Sequence, residues 1–282
     1  MAEKHLWERL EIDLRHRVAG FEGVAGIALL DLAGRNRISI GGDEVFPTAS
    51  TIKIAVLAHL LERAERGEVD LHHRIVVDGP SGAPGSGVLH YLEEPVELSV
   101  LDVAILMINV SDNLATNLCI DWATVDGVNG MLRRMGLEQT TLRRKMQDVE
   151  AIARGDENVA TPDELVELLR QFHAGEGLSA AVCAETLRLL QKPKHGMFDA
   201  ALPENIVIAN KPGAMGRVRN DAAIVFLPRR PYVLSVMSAW GPDDRIAQEA
   251  FVADVAGRVH RHMTTLDKTS VFGQGLVPPP GF

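Results

Sequence analysis

Apolar residues recur at helical spacing from Glu3 to Val18, with Leu6, Leu10, Leu14 and Val18 on one face, which predicts an amphipathic helix. Two strand-like runs follow, Val24 to Leu30 and Arg37 to Ile40, and Gly34-Arg35-Asn36 reads as the turn that pairs them. From Ser50 to about Leu190 the pattern is mostly helical. Within it, Ile54 to Leu61 is apolar nearly all round, the mark of a buried helix. The run Leu98 to Val110 carries Leu101, Ile105 and Ile108 at helical spacing, breaks at Ser111-Asp112-Asn113, and resumes at Leu114. Strand-like patterning returns at Ile206 to Ala209, at Ala222 to Leu227 and at Tyr232 to Met237, the last two paired around Pro228 to Pro231. A final helix after Asp243 turns Phe251, Val252, Val255 and Val259 toward a core.

This order predicts an α/β (α+β) fold in two subdomains. Residues 1–46 and 196–282 form a discontinuous α/β unit, and residues 47–195 form a helical unit. A pocket is expected at the seam between them.

Chemistry concentrates at three places. In Ser50-Thr51-Ile52-Lys53, a serine and a lysine three apart at a helix start share one face, which places an amine beside a hydroxyl. A lysine buried by the apolar run behind it loses its proton more easily. The bland alternative is a capping serine followed by a surface lysine. Ser111-Asp112-Asn113 is either a helix stop and restart or a proton relay through Ser111 with a substrate-holding amide at Asn113. Lys211-Pro212-Gly213 after a strand is either a turn or a cation facing an anionic substrate, with Gly213 admitting a close backbone approach.

Taken together and in this order, the three motifs resemble the penicillin-recognising serine hydrolases: class A β-lactamases and related penicillin-binding peptidases, with Ser-x-x-Lys, Ser-Asp-Asn and Lys-Thr-Gly. Ser111 lies sixty-one residues after Ser50 and Lys211 one hundred after Ser111. The resemblance covers most of the chain and is densest from Val110 through Asp148. It implies an antiparallel sheet flanked by the N- and C-terminal helices, with an all-helical subdomain beside it. It also implies a serine hydrolase that opens β-lactam rings. Ser50 would be acylated, Lys53 would activate it, and Ser111 would protonate the leaving nitrogen. Asn113 would hold the substrate's side-chain amide, and Lys211 would lie near its carboxylate. The backbone N–H groups of Ser50 and Ala214, just past Gly213, would form the oxyanion hole.

The chain departs from the pattern twice. Pro212 replaces the Thr or Ser whose hydroxyl would bind the substrate carboxylate, and Arg217 and Arg219, two apart on an expected strand, are candidates to take over that contact. At the loop position where class A enzymes carry a water-activating Glu, extension from Gly136 puts Met146. Asp148 and Glu150 are the nearby acids that could serve as the loop base. Without a base the chain would act as an esterase or D,D-peptidase on the same fold, or as a covalent penicillin-binding protein that does not turn over.

Composition fits a soluble enzyme. The 282 residues carry 29 Lys and Arg against 38 Asp and Glu, a net charge of −9, so nucleic acid is not an expected partner. No metal is expected, because the ten histidines include no His-Glu-x-x-His, and no cofactor is expected either. Cys119 and Cys183 sit in apolar helical settings and read as buried free thiols. The expected partner is a small β-lactam or a related ester or amide, bound by a monomer or weak dimer. The run Gly79 to Gly87 lacks phosphate-loop spacing and reads as a loop rimming the pocket, and Val271 to Phe282 reads as a loosely ordered tail. The N-terminus has no apolar signal core, so the chain as written reads as cytoplasmic, or as periplasmic or secreted if its start is an engineered mature end. No membrane contact is expected.

Overall fold

The computed structural model describes residues 2–79 and 83–276. The chain opens with α1 (Ala2–Ala19), the hairpin β1 (Val24–Asp31) and β2 (Arg37–Ile40), and the short strand β3 (Phe46–Pro47). A 3-10 turn (Ala49–Ile52) leads directly into α2 (Lys53–Glu65). The middle of the chain holds β4 (Arg74–Val77), β5 (Val96–Ser99), α3 (Val100–Asn109), α4 (Asn113–Ala123), α5 (Val125–Arg134), α6 (Val149–Ala153), β6 (Val159–Ala160), α7 (Pro162–Ala174) and α8 (Ala180–Leu190). It closes with α9 (Met197–Ala201), β7 (Val207–Met215), β8 (Val218–Phe226), β9 (Tyr232–Ala239) and α10 (Arg245–Asp267).

The main sheet has the order β2-β1-β9-β8-β7 and is antiparallel throughout. Side chains alternate between its faces. Ile27, Leu29, Leu234 and Val236 pack with Trp7 and Leu14 of α1 and with Phe251, Val255 and Val259 of α10. Ala28, Ile224, Val233 and Met237 face the other way, onto Leu165, Val166 and Phe172 of α7 and the apolar run of α2. The helical middle of the chain thus covers one face and the two terminal helices the other. The resemblance's antiparallel sheet between terminal helices is the fold observed.

Three local differences from the sequence reading have physical causes. The stretch between Ser50 and Leu190 is interrupted by the small antiparallel pair β4 with β5 and by β6, which pairs back onto β3 ahead of Ser50. Their strands are two to four residues long, too short for a period-two pattern to stand out. The helix expected from Leu98 begins instead at Val100, because Ser99 closes a capping box: its Oγ accepts from Asp102 N–H at 3.0 Å, and Asp102 Oδ2 accepts from Ser99 N–H at 3.2 Å. Finally, Lys211-Pro212-Gly213 lies inside β7, with Lys211 opposite Ala222 and Gly213 opposite Asn220, and is not a turn after the strand. Pro212 is tolerated because β7 is the sheet's edge, where one set of N–H groups has no ladder partner. Residues 80–82 of the Gly-rich run and 277–282 of the tail lie outside the described residues.

Candidate active site

Ser50 sits in the 3-10 turn and is not a helix cap; the residue before that turn, Thr48, occupies the cap position. The turn places Lys53 at the first position of α2, fully buried. The hydroxyl and the amine do not meet directly. Ser111 stands between them: its Oγ donates to Ser50 Oγ at 2.8 Å and accepts from Lys53 Nζ at 3.0 Å. Lys53 Nζ also donates to the Ser111 carbonyl at 2.8 Å and to Asn113 Oδ1 at 3.4 Å. From the sheet side, Lys211 Nζ donates to the same Ser111 Oγ at 3.2 Å and to the Pro212 carbonyl at 2.8 Å. One hydroxyl therefore links the serine to both lysines.

Backbone strain is concentrated here. Among the described residues six non-glycine positions have positive φ, and three of them line the cavity: Ala49 (φ 47°), Ser111 (φ 55°) and Gln147 (φ 60°). Such conformations persist only where the surroundings hold them, as at binding and catalytic sites. Gly213 shows a related constraint. A Cβ there would come within 2.8 Å of the Thr48 carbonyl and 3.0 Å of Ser50 N. Only glycine lets β7 press against the serine's turn. Both backbone groups of an antiparallel residue point to the same side, and Pro212 cannot donate to β8. Ala214, two residues on, therefore presents its N–H outward, into the cavity it lines with Ser50.

Burial dominates the electrostatics. It pushes Lys53 well below the ordinary lysine range, and the neighbouring Lys211 charge adds to that, against the opposing pull of Asp112. Lys211 is pushed down to about 7 by burial, with Asp221 pulling it back. Asp221, buried behind β7, is pushed up to about 7 by the same desolvation. It accepts from Phe198 N–H at 3.1 Å, and Asn210 Nδ2 bridges it (3.3 Å) to Asp199 (2.9 Å).

The remaining candidates divide. Asn113 lines the cavity, but its Nδ2 is engaged by the Pro84 carbonyl at 2.9 Å. Arg217 lies in the turn before β8 and donates to the Gly241 carbonyl at 2.9 Å. Arg219 is buried, donating to the Val218 carbonyl at 2.7 Å and pairing with Glu249 at 3.4 Å. The two do not share a strand face, and neither lines the cavity. Asp148 caps α6 by accepting from Ala151 N–H at 3.0 Å, Glu150 is exposed, and neither lines the cavity. Met146 does line it, with its backbone clamped on Asn117: N–H to Oδ1 at 2.7 Å and C=O from Nδ2 at 3.1 Å.

Two elements had escaped sequence reasoning. Glu157 lines the cavity but is paired with Arg144 at 2.6 Å, latching the loop that carries Met146. Opposite charges thirteen residues apart across a loop give no periodic signal. Asp112, buried at 1 %, accepts from Val88 N–H at 2.7 Å, Leu89 N–H at 2.8 Å and Ala115 N–H at 3.0 Å. It ties the loop at the cavity rim, including Ser86, to the start of α4. Replacing Asp112 by alanine strands these donors and is expected to cost about 3 kcal/mol. Denaturant unfolding measures this, and an unchanged midpoint would remove Asp112 from that role.

Residues 9–263 match the family model described as the β-lactamase enzyme family. A β-lactamase of Citrobacter koseri is 29% identical over 219 residues, covering 75% of this chain and 74% of that protein. One from Bacillus licheniformis is 25% identical over 261 residues, covering 90% and 83%. Among solved structures, a β-lactamase from Sphaerobacter thermophilus superposes with a TM-score of 0.83 at 29% identity, covering 92% of this chain and 98% of that one. A mutant of PBP-A, solved as an acyl-enzyme complex with penicillin G, gives 0.81 at 28% identity, covering 91% and 97%.

Proposed function

The chain belongs to the β-lactamase enzyme family, and we propose from that premise that it is a serine hydrolase opening β-lactam rings through an acyl-enzyme on Ser50. The observation that carries this reading is the single hydroxyl, Ser111 Oγ, hydrogen-bonded to Ser50 Oγ, Lys53 Nζ and Lys211 Nζ at once. Burial and the Lys211 charge favour a neutral Lys53, able to accept a proton. With Lys53 neutral and both hydroxyls rotated, Ser50 O–H donates to Ser111 Oγ and Ser111 O–H to Lys53 Nζ; Ser50 Oγ then attacks the lactam carbonyl carbon, and its proton passes through Ser111 Oγ to Lys53. The carbonyl oxygen becomes an oxyanion held by the Ser50 and Ala214 N–H groups, which contribute on the order of 3 kcal/mol each. The C–N bond then breaks. The departing nitrogen takes the Ser111 proton, which Lys53 replaces. Water finally cleaves the Ser50 ester.

Met146 favours a second reading of the last step. It stands on the cavity wall with no carboxylate to activate water. Asp148 and Glu150 lie off the cavity and Glu157 is committed to Arg144. The acyl-enzyme of a typical penicillin is therefore long-lived, and the protein behaves toward it partly as a covalent penicillin binder.

Intact-protein mass followed over time after mixing with penicillin G tests both readings. The expected result is a single adduct on Ser50 that decays slowly as hydrolysed drug appears. Rapid decay would overturn the slow-deacylation reading alone. No adduct and no drug loss would overturn the β-lactam assignment and leave an esterase or peptidase on this fold.

A further inference from the structure

Gln147 stands next to Met146 and has no part in the acyl-transfer steps described above. It lines the same cavity, of about 1200 Å³, and its backbone is left-handed, with φ 60°. That conformation is uncommon for residues other than glycine. Gln147 is held in it between two anchored neighbours. Asn117 grips the Met146 backbone at 2.7 and 3.1 Å, and Asp148 is fixed as the cap of α6 by Ala151 N–H at 3.0 Å. The strain therefore falls on the one residue between them, whose side chain is exposed toward solvent.

That side chain is uncommitted. The other polar side chains on the cavity wall, His195 before α9 excepted, are hydrogen-bonded or ion-paired within the protein. Among the described residues the Gln147 carboxamide has no partner. Its place relative to Asn113 follows from Gly85, whose own backbone is left-handed at φ 101°. A Cβ on Gly85 would meet Gln147 Nε2 at 3.1 Å and Asn113 Nδ2 at 3.2 Å. The two amide nitrogens thus lie within two residue lengths of an extended chain, at roughly 3.3–3.6 Å each. Asn113 spends one Nδ2 hydrogen on the Pro84 carbonyl and keeps the other, while Gln147 keeps both of its donors and its acceptor. A carboxamide does not take up a proton near neutral pH, so Gln147 is no substitute for a loop base. Its chemistry is to bind. A group that offers a donor and an acceptor together is matched by another amide.

We propose that Gln147 is a specificity-determining residue for the acyl side chain of the substrate. Asn113 takes the amide next to the reacting ring, and Gln147 takes a second amide further out. The preferred acyl donors then carry two successive amides. This rests on acylation of Ser50 as argued above.

The test compares two penicillins whose side chains have the same length, one N-acetylglycyl and one pentanoyl. Both carry the ring-linked amide, and only the first carries another. The rate of adduct formation on Ser50 is read by intact-protein mass. One net hydrogen bond is worth about fivefold, so the N-acetylglycyl compound is expected to acylate about five times faster than the pentanoyl one. Gln147→Gly, which accepts the left-handed backbone without a side chain, is expected to bring that ratio to about one. Gln147→Asn, which keeps a carboxamide and also tolerates that backbone, is expected to keep part of the preference. Melting curves check that both variants fold. A purely structural role would slow both compounds alike and leave the ratio where it was, so an unchanged ratio in folded Gln147→Gly would overturn the proposal. So would equal rates for the two compounds in the unmodified protein, with Ser50 labelled by both and the acyl-enzyme reading intact. If neither compound labels Ser50, the acyl-enzyme reading fails and takes the proposal with it.

Discussion

Replacing Ser50 with alanine is expected to abolish both adduct formation with penicillin and turnover, a loss on the order of a million-fold in rate. The size follows from what a single oxygen does. Ser50 Oγ is the atom that would carry the acyl group, and Ser111 Oγ, 2.8 Å away, is its link to Lys53. Losing that oxygen removes the covalent route itself, and the remaining cavity can only orient a substrate toward water. The fold should not suffer. The Ser50 side chain is only half-buried and is bonded to Ser111, while the turn is braced by Thr51 N–H donating to the Thr48 carbonyl at 3.1 Å. A folded Ser50→Ala protein that still hydrolyses penicillin at the original rate would end the acyl-enzyme assignment. One that still forms an adduct would move the nucleophile elsewhere.

The parts of this molecule legible in the sequence share a local cause. The Ser50–Lys53 spacing is a property of one helical turn, and the burial of Lys53 follows from the unbroken apolar run after it. The nearly unbroken burial of β1, β8 and β9 comes from a sheet covered on both faces by helices, which is why their apolar runs stand out in the sequence. What was not legible depends on which way a long side chain turns. Arg217 and Arg219 look like a pair on one face, but Arg217 falls in the turn with Gly216 and only Arg219 lies on β8, which begins at Val218. Asp148 is near the right place in the sequence, but α6 uses it as a cap. Asp112 was read only as the middle of a polar triplet, although its carboxylate organises the cavity rim through three backbone donors. The buried group of Asn210, Asp199 and Asp221 behind Lys211 draws on α9, β7 and β8, and only the folded sheet brings those together.

Introducing a carboxylate at position 146 is expected to shorten the life of the acyl-enzyme. The position is held independently of its side chain, since Asn117 grips the Met146 backbone through both N–H and C=O. A glutamate there inherits a fixed backbone on the wall that Ser50 also lines. It adds a general base where the loop's own acids are occupied or turned away: Asp148 on α6, Glu157 on Arg144, Glu150 in solvent. A positioned general base contributes about a hundredfold to ten-thousandfold, so Met146→Glu should raise the decay rate of the penicillin adduct by at least about a hundredfold. Adduct formation should change little, because Lys53 and Ser111 still handle that proton. A pulse of penicillin followed by removal of free drug separates the two steps, with adduct mass read against time. A lifetime unchanged by the substitution means that another group already activates the water. Glu157, which shares the cavity wall with Met146, is then the residue to release from Arg144, and the slow-deacylation reading falls with that result.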